Sequence, residues 1–89
     1  MAYVNASYSD AVIGERVHAA MWRARMTQTA VAKSLGVDQA AVNRRLRGST
    51  PWKVTELLLL ADLLDVSLAE LLPEGAMRDR GTAVNNAQS

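Results

Sequence analysis

The chain has 89 residues, a net charge of +1, no cysteine and one histidine. This length closes one small hydrophobic core and is too short for an enzyme with a separate substrate lobe. The composition excludes disulfides, cysteine zinc sites and histidine metal clusters. The longest apolar run, residues 57–61, is far shorter than the roughly 18 residues of a membrane-spanning helix. We therefore expect a soluble, cytoplasmic protein that is not an enzyme and that uses no metal, cofactor, small-molecule ligand or membrane.

The charges are distributed unevenly along the chain. Residues 11–53 contain eight basic and two acidic residues, a net charge of +6, whereas residues 54–75 contain five acidic residues and no basic one. A polyanion would be attracted to one side of the folded domain and repelled by the other. The pattern therefore favours an anionic partner that is bound in one orientation.

The first predicted element is a helix from about Tyr8 or Ser9 to Arg25, preceded by a flexible arm of residues 1–8. Trp22 lies nearly opposite the inward stripe of this helix. That stripe follows the three-and-four spacing of an amphipathic helix and consists of Ile13, Val17, Ala20 and Ala24.

Two short helices joined by a tight turn are predicted next, in residues 27–48. Thr27 and Asp38 are N-cap candidates for them. Gly36 lies where a residue with positive φ is needed to end the second helix, and the third helix stops at Gly48. The expected inward residues are Val31, Ala32 and Leu35 in the second helix, and Ala41 or Val42 with Leu46 in the third. Such a pair with a cationic second helix is typical of a DNA-reading helix-turn-helix.

A fourth helix is predicted from about Pro51 to Leu64, because Thr50 can cap it and proline is tolerated at the first helical position. Its inward face consists of Val54, Leu57, Leu60, Ala61 and Leu64. A second apolar stripe lies roughly opposite and contains Trp52, Leu59 and Leu63. The favoured interpretation is a helix buried all round, with Trp52 covering the edge of the core. The alternative is that Trp22, Leu59 and Leu63 form a surface for a second copy or a further domain.

Ser67 and Glu70 match a capping box that begins a short fifth helix, which ends at Pro73. Residues 74–89 lack apolar periodicity and are expected to be a disordered tail or linker. Five short helices with inward faces predict an all-α, compact five-helix bundle over residues 9–73.

These elements carry a family resemblance. The chain resembles the Cro and phage-repressor type of helix-turn-helix domain, the lambda-repressor-like fold of the XRE-like family, over residues 9–73. The matching residues are 13–17, Thr27, Gln28, Val31, Ala32, 35–37, Val42, Leu46, Gly48, Pro51, Leu57, Ala61 and 64–66. Arg45 departs from the pattern, since the family often buries an apolar or aromatic side chain there. Either its stem covers the core edge or Leu46 takes over that packing.

The resemblance implies a phage immunity repressor or its N-terminal domain, acting at the nucleoid of a bacterial or phage-infected cell. Such a protein is a sequence-specific regulator that binds double-stranded DNA through its third helix. A dimer would meet half-sites about 10 base pairs apart, or a multiple of that distance. The alternative function is a helical protein-interaction module, such as an antitoxin or an adaptor, that uses the apolar stripes.

The third helix presents one polar face to the major groove, where its N-terminal residues approach the base edges. Gln39 or Asn43 can pair with adenine, and Arg44 with guanine. The expected base-reading residues are Gln39, Ala40, Asn43, Arg44 and Arg47. Arg45 and Trp52 are assigned either to DNA or to the edge of the core.

Phosphate contacts position such a domain on DNA without reading sequence. The resemblance implies this role for Gln28, which opens the second helix. The remaining candidates are basic residues and a helix start, namely Thr50, Lys53, Arg23 and Arg25. For Arg44, Arg45 and Arg47 of the third helix, the alternative is an ordinary solvated helix face.

Overall fold

A computed structural model describes the backbone of residues 2–73 and the side chains of residues 9–73. The described chain is all helical and contains five helices and no strand, as predicted. The helices are α1 (Ala2–Ala24), α2 (Gln28–Leu35), α3 (Gln39–Leu46), α4 (Val54–Leu63) and α5 (Leu68–Leu71). Their inward faces close one core whose largest fully buried side chains are Val17, Val31, Val42, Leu60 and Leu71.

Helix α1 begins earlier than predicted. It starts at Ala2, not at Tyr8 or Ser9, so residues 2–8 of the expected flexible arm are helical. This stretch contains no glycine or proline, and nothing in it stops a helix from extending towards the N-terminus. Met1 and the predicted tail, residues 74–89, lie outside the described residues.

The inward stripe of α1 differs from the predicted one near its end. Val17 and Ala20 are buried and Ile13 packs on the core, as expected, but Ala24 is exposed. Met21 is buried in its place. The helix ends at Ala24, so its last turn leaves the core, and the long, flexible Met21 side chain fills the space.

The start of α4 was predicted three residues too early. The helix begins at Val54, with Lys53 as its N-cap, and Pro51 lies before it. A Glu56 side-chain oxygen accepts a hydrogen bond from the Lys53 backbone N–H at 3.0 Å. Because a lysine ammonium has no acceptor, only this half of a capping box forms. Trp52 packs in the core, with 8% of its surface exposed. We attribute the late start of α4 to this burial, because it keeps residues 51–53 out of the helix.

The outer face of α4 is not buried, contrary to the favoured sequence interpretation. Val54, which was predicted to face inward, is 66% exposed. The other large apolar residues exposed on this helix are Leu58, Leu59 and Leu63. We call these four residues the α4 apolar face. The inward side is as predicted, with Leu57, Leu60, Ala61 and Leu64 buried.

Glycine allows α1 and α3 to cross closely. A Cβ atom at Gly14 would overlap the carbonyl oxygen of Leu46, the last residue of α3. A side chain at this point would push the two helices apart. The position of α3 on the domain therefore depends on a residue in α1.

Candidate nucleic-acid interface

Helices α2 and α3 are built by local signals in residues 27–48. The Thr27 hydroxyl accepts a hydrogen bond from the Ala30 backbone N–H at 3.0 Å and caps α2. Asp38 caps α3, since its carboxylate accepts from the Ala41 N–H at 2.7 Å. Between them Gly36 takes the left-handed conformation, with a φ of 72°. The predicted caps and turn are confirmed, and together they set the helix-turn-helix.

Helix α3 has an apolar face directed to the core and a polar face directed to solvent. Ala41 and Val42 are buried, and Leu46 packs on the core from a partly buried position. The polar face is exposed to solvent, apart from Asn43, which is half-buried. The exposed members of the predicted base-reading set are Gln39, Ala40, Arg44 and Arg47.

A side-chain hydrogen bond joins α2 to the first residue of α3. The Thr29 hydroxyl donates to the Gln39 amide oxygen at 3.2 Å. That oxygen has a second lone pair, so the amide keeps its capacity to pair with a base edge. Sequence reasoning did not find Thr29. Its only signal was its place in the first turn of α2, which a helix-turn-helix brings near the start of α3.

Arg45 lies partly buried at the edge of the core rather than on the polar face of α3. Its Nε atom is 3.1 Å from a Glu56 carboxylate oxygen, and the two side chains are only 12% and 11% exposed. Its guanidinium also donates to the Ala41 carbonyl at 3.2 Å. Of the two assignments left open by the sequence, the structure places Arg45 at the core edge. Trp52 is likewise buried in the core, and its indole N–H has no hydrogen-bond partner among the described residues.

The phosphate candidates occupy two helix starts and the end of α1. Gln28 is the first residue of α2 and is half-buried, while Arg25 is exposed just before it. Lys53 is exposed at the start of α4. The Thr50 backbone N–H donates weakly, at 3.4 Å, to the Arg44 carbonyl, so this residue lies beside the end of α3.

Arg23 has an intramolecular partner. Its guanidinium is 3.9 Å from the Glu70 carboxylate of α5, and both side chains are more than half exposed. A pair this exposed stabilises the fold by about 0–1 kcal/mol at most, so Arg23 is free to exchange Glu70 for another anion.

Trp22, the remaining candidate for a partner surface, is 82% exposed at the end of α1. Leu59 and Leu63 belong to the α4 apolar face. None of the described helices is long and apolar enough to cross a membrane.

Comparison with known proteins agrees with this geometry. The HTH_3 family model, described as Helix-turn-helix, matches residues 22–71, more than half of the chain. No curated protein matches the sequence. The fold and the site define a DNA-binding transcriptional regulator of the helix-turn-helix class. The chain belongs to the Helix-turn-helix family, which confirms the resemblance found in the sequence.

Three solved structures are similar to the chain. The P22 c2 repressor, in complex with a synthetic operator, is 31% identical, with a TM-score of 0.61 over 68% of this chain and 92% of that one. The restriction-modification controller protein C.AhdI from Aeromonas hydrophila is 26% identical, with a TM-score of 0.62 over the same shares. The DNA-binding domain of BldD is 25% identical, with a TM-score of 0.65 over 75% of this chain and 97% of that one.

Proposed function

We propose that the protein is a sequence-specific repressor that occupies an operator in duplex DNA through α3. The observation that carries this proposal is the two-sided character of α3, whose apolar side is buried while Arg44 and Arg47 point away from the core. The similar P22 c2 repressor has been solved in complex with a synthetic operator. The proposed base-reading residues are Gln39, Ala40, Asn43, Arg44 and Arg47.

The chemistry of this face suits the major groove. Arg44 or Arg47 can donate two hydrogen bonds to guanine, and Gln39 or Asn43 can pair in the same way with adenine. Each good bidentate pair contributes about 1–3 kcal/mol of discrimination against the wrong base. The chain would therefore read several base pairs with one short helix.

Contacts to phosphate would fix the register of α3 on the DNA. The proposed residues lie at or near the starts of α2 and α4 and the end of α1. They are Gln28, Arg23, Arg25, Thr50 and Lys53. Helix starts bind anions through free backbone N–H groups and the positive end of the helix dipole. Residues 54–75 carry five acidic residues and repel the same polyanion, so they favour one orientation.

The proposed activity is binding without catalysis, and it takes place where duplex DNA is found, in the bacterial cytoplasm. Asp62 and Asp65 are both exposed on the acidic side of the domain, which suits solvation better than acid or base chemistry. Repression would follow from occupancy, because a bound domain excludes polymerase or a competing regulator from the same DNA.

The test starts with selection of bound sequences from random duplexes. On the selected duplex, Arg44→Ala is expected to lose about 1–3 kcal/mol of binding free energy and to relax the preference at one base position. Lys53→Ala is expected to weaken selected and random duplexes about equally. Lys33→Ala, at an exposed lysine in the middle of α2, serves as the control for loss of one positive charge. Equal losses on both duplexes for Arg44→Ala would refute its assignment.

A second candidate function is binding of a protein through the α4 apolar face. The exposure of Val54, Leu58, Leu59 and Leu63 favours it, since four large apolar residues on one short helix are costly to leave in water. A second copy of the chain would use the same face for a dimer on DNA. Sedimentation at micromolar concentration, with and without the selected duplex, distinguishes these cases. A monomer that binds no specific DNA favours the protein-interaction function.

A further inference from the structure

Glu56 makes two hydrogen bonds through one carboxylate oxygen. That oxygen accepts from the Arg45 Nε of α3 at 3.1 Å and from the backbone N–H of Lys53 at 3.0 Å. Arg45 is fixed further by its bond to the Ala41 carbonyl. Of the two ion pairs in the described part of the chain, this one is part-buried and the Arg23–Glu70 pair is exposed.

The pair links two parts of the proposed DNA interface. Helix α3 packs chiefly on α1 and α2, so its distance from the start of α4 is not set by close helix packing. Arg45 of α3 lies between Arg44 and Arg47, the C-cap of that helix, and Lys53 is the N-cap of α4. The Glu56 carboxylate therefore holds base-reading arginines and a phosphate-binding lysine at a fixed spacing.

The pair also neutralises one positive charge at the core edge, beside the polar face of α3. Arg45 is the middle one of three arginines in residues 44–47, yet it is paired with a carboxylate at contact distance. An unmatched guanidinium at this place would attract any duplex, whatever its sequence. The carboxylate thus limits non-specific attraction.

We propose that Glu56 is a positioning residue for DNA recognition, which sets the spacing between α3 and the start of α4 and neutralises Arg45. The proposal rests on the DNA-reading function proposed for α3. It makes sequence discrimination depend on a side chain that touches no DNA.

The first test compares Glu56→Gln with Asp62→Asn. Both variants remove one negative charge from α4, but Asp62 is exposed whereas Glu56 holds Arg45. The affinity of the full chain for the selected duplex and for a scrambled duplex is measured by fluorescence anisotropy at several salt concentrations. For Glu56→Gln the ratio of the two affinities is expected to fall by about fivefold or more, the discrimination of one bidentate contact.

The expected change in affinity for the scrambled duplex is an increase, which loss of structure does not produce. Glu56→Gln is expected to bind the scrambled duplex more tightly than Asp62→Asn does, with a log–log salt slope steeper by up to about 0.9, because Arg45 becomes available to phosphate. A partly unfolded protein would bind both duplexes more weakly. If Glu56→Gln and Asp62→Asn have the same affinity ratio and the same slopes, the proposal is wrong.

A double variant separates positioning from stability. Arg45→Met with Glu56→Leu replaces the pair by apolar side chains of similar size, a change that buried ion pairs often tolerate. We expect a thermal midpoint near that of the wild type and a reduced affinity ratio. A fully folded double variant with the wild-type ratio would overturn the positioning role. A wild-type chain that binds both duplexes equally would instead refute the proposed DNA-reading function.

Discussion

Asp65 ends α4 in a conformation that suits glycine. Its φ is 57°, in the left-handed region. Its N–H donates to the Asp62 carbonyl at 3.3 Å, and the Val66 N–H donates to the Ala61 carbonyl at 2.9 Å. These two bonds form the same helix-ending motif that Gly36 provides for α2, where Val37 donates to the Ala32 carbonyl. We therefore expect Asp65→Gly to stabilise the protein.

The magnitude follows from three terms. The left-handed conformation costs a non-glycine residue about 1–2 kcal/mol, and a carboxylate at the negative end of a helix costs about 0.3–1 kcal/mol. Glycine reduces this gain in stability by about 0.5–1 kcal/mol, because it makes the unfolded chain more flexible. The net expectation is a free energy of unfolding higher by about 1 kcal/mol, which raises the thermal midpoint of a domain this size by about 4–8 °C.

Thermal and urea unfolding followed by circular dichroism measure this change. Asp62→Gly is the matched control, since it removes the same side chain from the last turn of α4 at a residue with helical backbone, and it is expected to be less stable than Asp65→Gly by about 1–2 kcal/mol, the cost of the left-handed conformation. Asp65→Asn keeps a residue that tolerates the left-handed region and removes the charge, so it is expected to gain a few tenths of a kcal/mol. An Asp65→Gly variant no more stable than the wild type would refute the strain argument.

Three further outcomes are expected. Arg25→Gly, at a φ of 58°, should raise the free energy of unfolding by a smaller amount, because a basic residue suits a helix C-terminus, while its log–log salt slope for DNA binding becomes shallower by about 0.9. An unchanged slope would remove Arg25 from the phosphate contacts. Gly14→Ala should lower the free energy of unfolding, measured by thermal unfolding, by about 1–3 kcal/mol, since its methyl group overlaps the Leu46 carbonyl. A variant of wild-type stability would contradict the close crossing of α1 and α3. Thr29→Val removes the hydroxyl that is hydrogen-bonded to the Gln39 amide, so it should change the base preference set by Gln39 and alter the free energy of unfolding by less than about 0.5 kcal/mol. Selection that returns the wild-type sequence would show that this hydrogen bond does not position Gln39.

Local signals predicted the helix-turn-helix well. The caps at Thr27 and Asp38, the left-handed Gly36 and the capping box of Ser67 with Glu70 were all read from the sequence and are present in the structure. Each depends on atoms within a few residues of one another. Such interactions form in the same way wherever the segment lies in the fold.

The two errors at helix starts have different causes. Ser9 is a good cap in isolation, but α1 continues through it because no breaker precedes it. Thr50 and Pro51 are a good start signal, yet α4 begins later. Trp52 packs in the core, and the Glu56 side chain accepts a hydrogen bond from the backbone N–H of Lys53, the N-cap. In the second case a tertiary contact outweighed a local preference worth about 1 kcal/mol.

The candidate site was also only partly readable. The sequence predicted which residues share the polar face of α3, because the period of a helix decides that. It did not predict that Glu56 pairs with Arg45, which lies 11 residues away along the chain. The outcome for Arg45, a basic residue withdrawn from a basic cluster, depended on that partner.

The sequence by itself determined the five helices, the turn between α2 and α3 and the face that α3 presents, because spacing and capping act over one or two helical turns. Only the tertiary structure decided which charged side chains pair with one another and which apolar side chains remain exposed to water. Arg45 is paired with Glu56 at the core edge, while Val54 and Leu58 are exposed. These outcomes depend on how separate helices approach one another, and no local pattern in the chain specifies that distance.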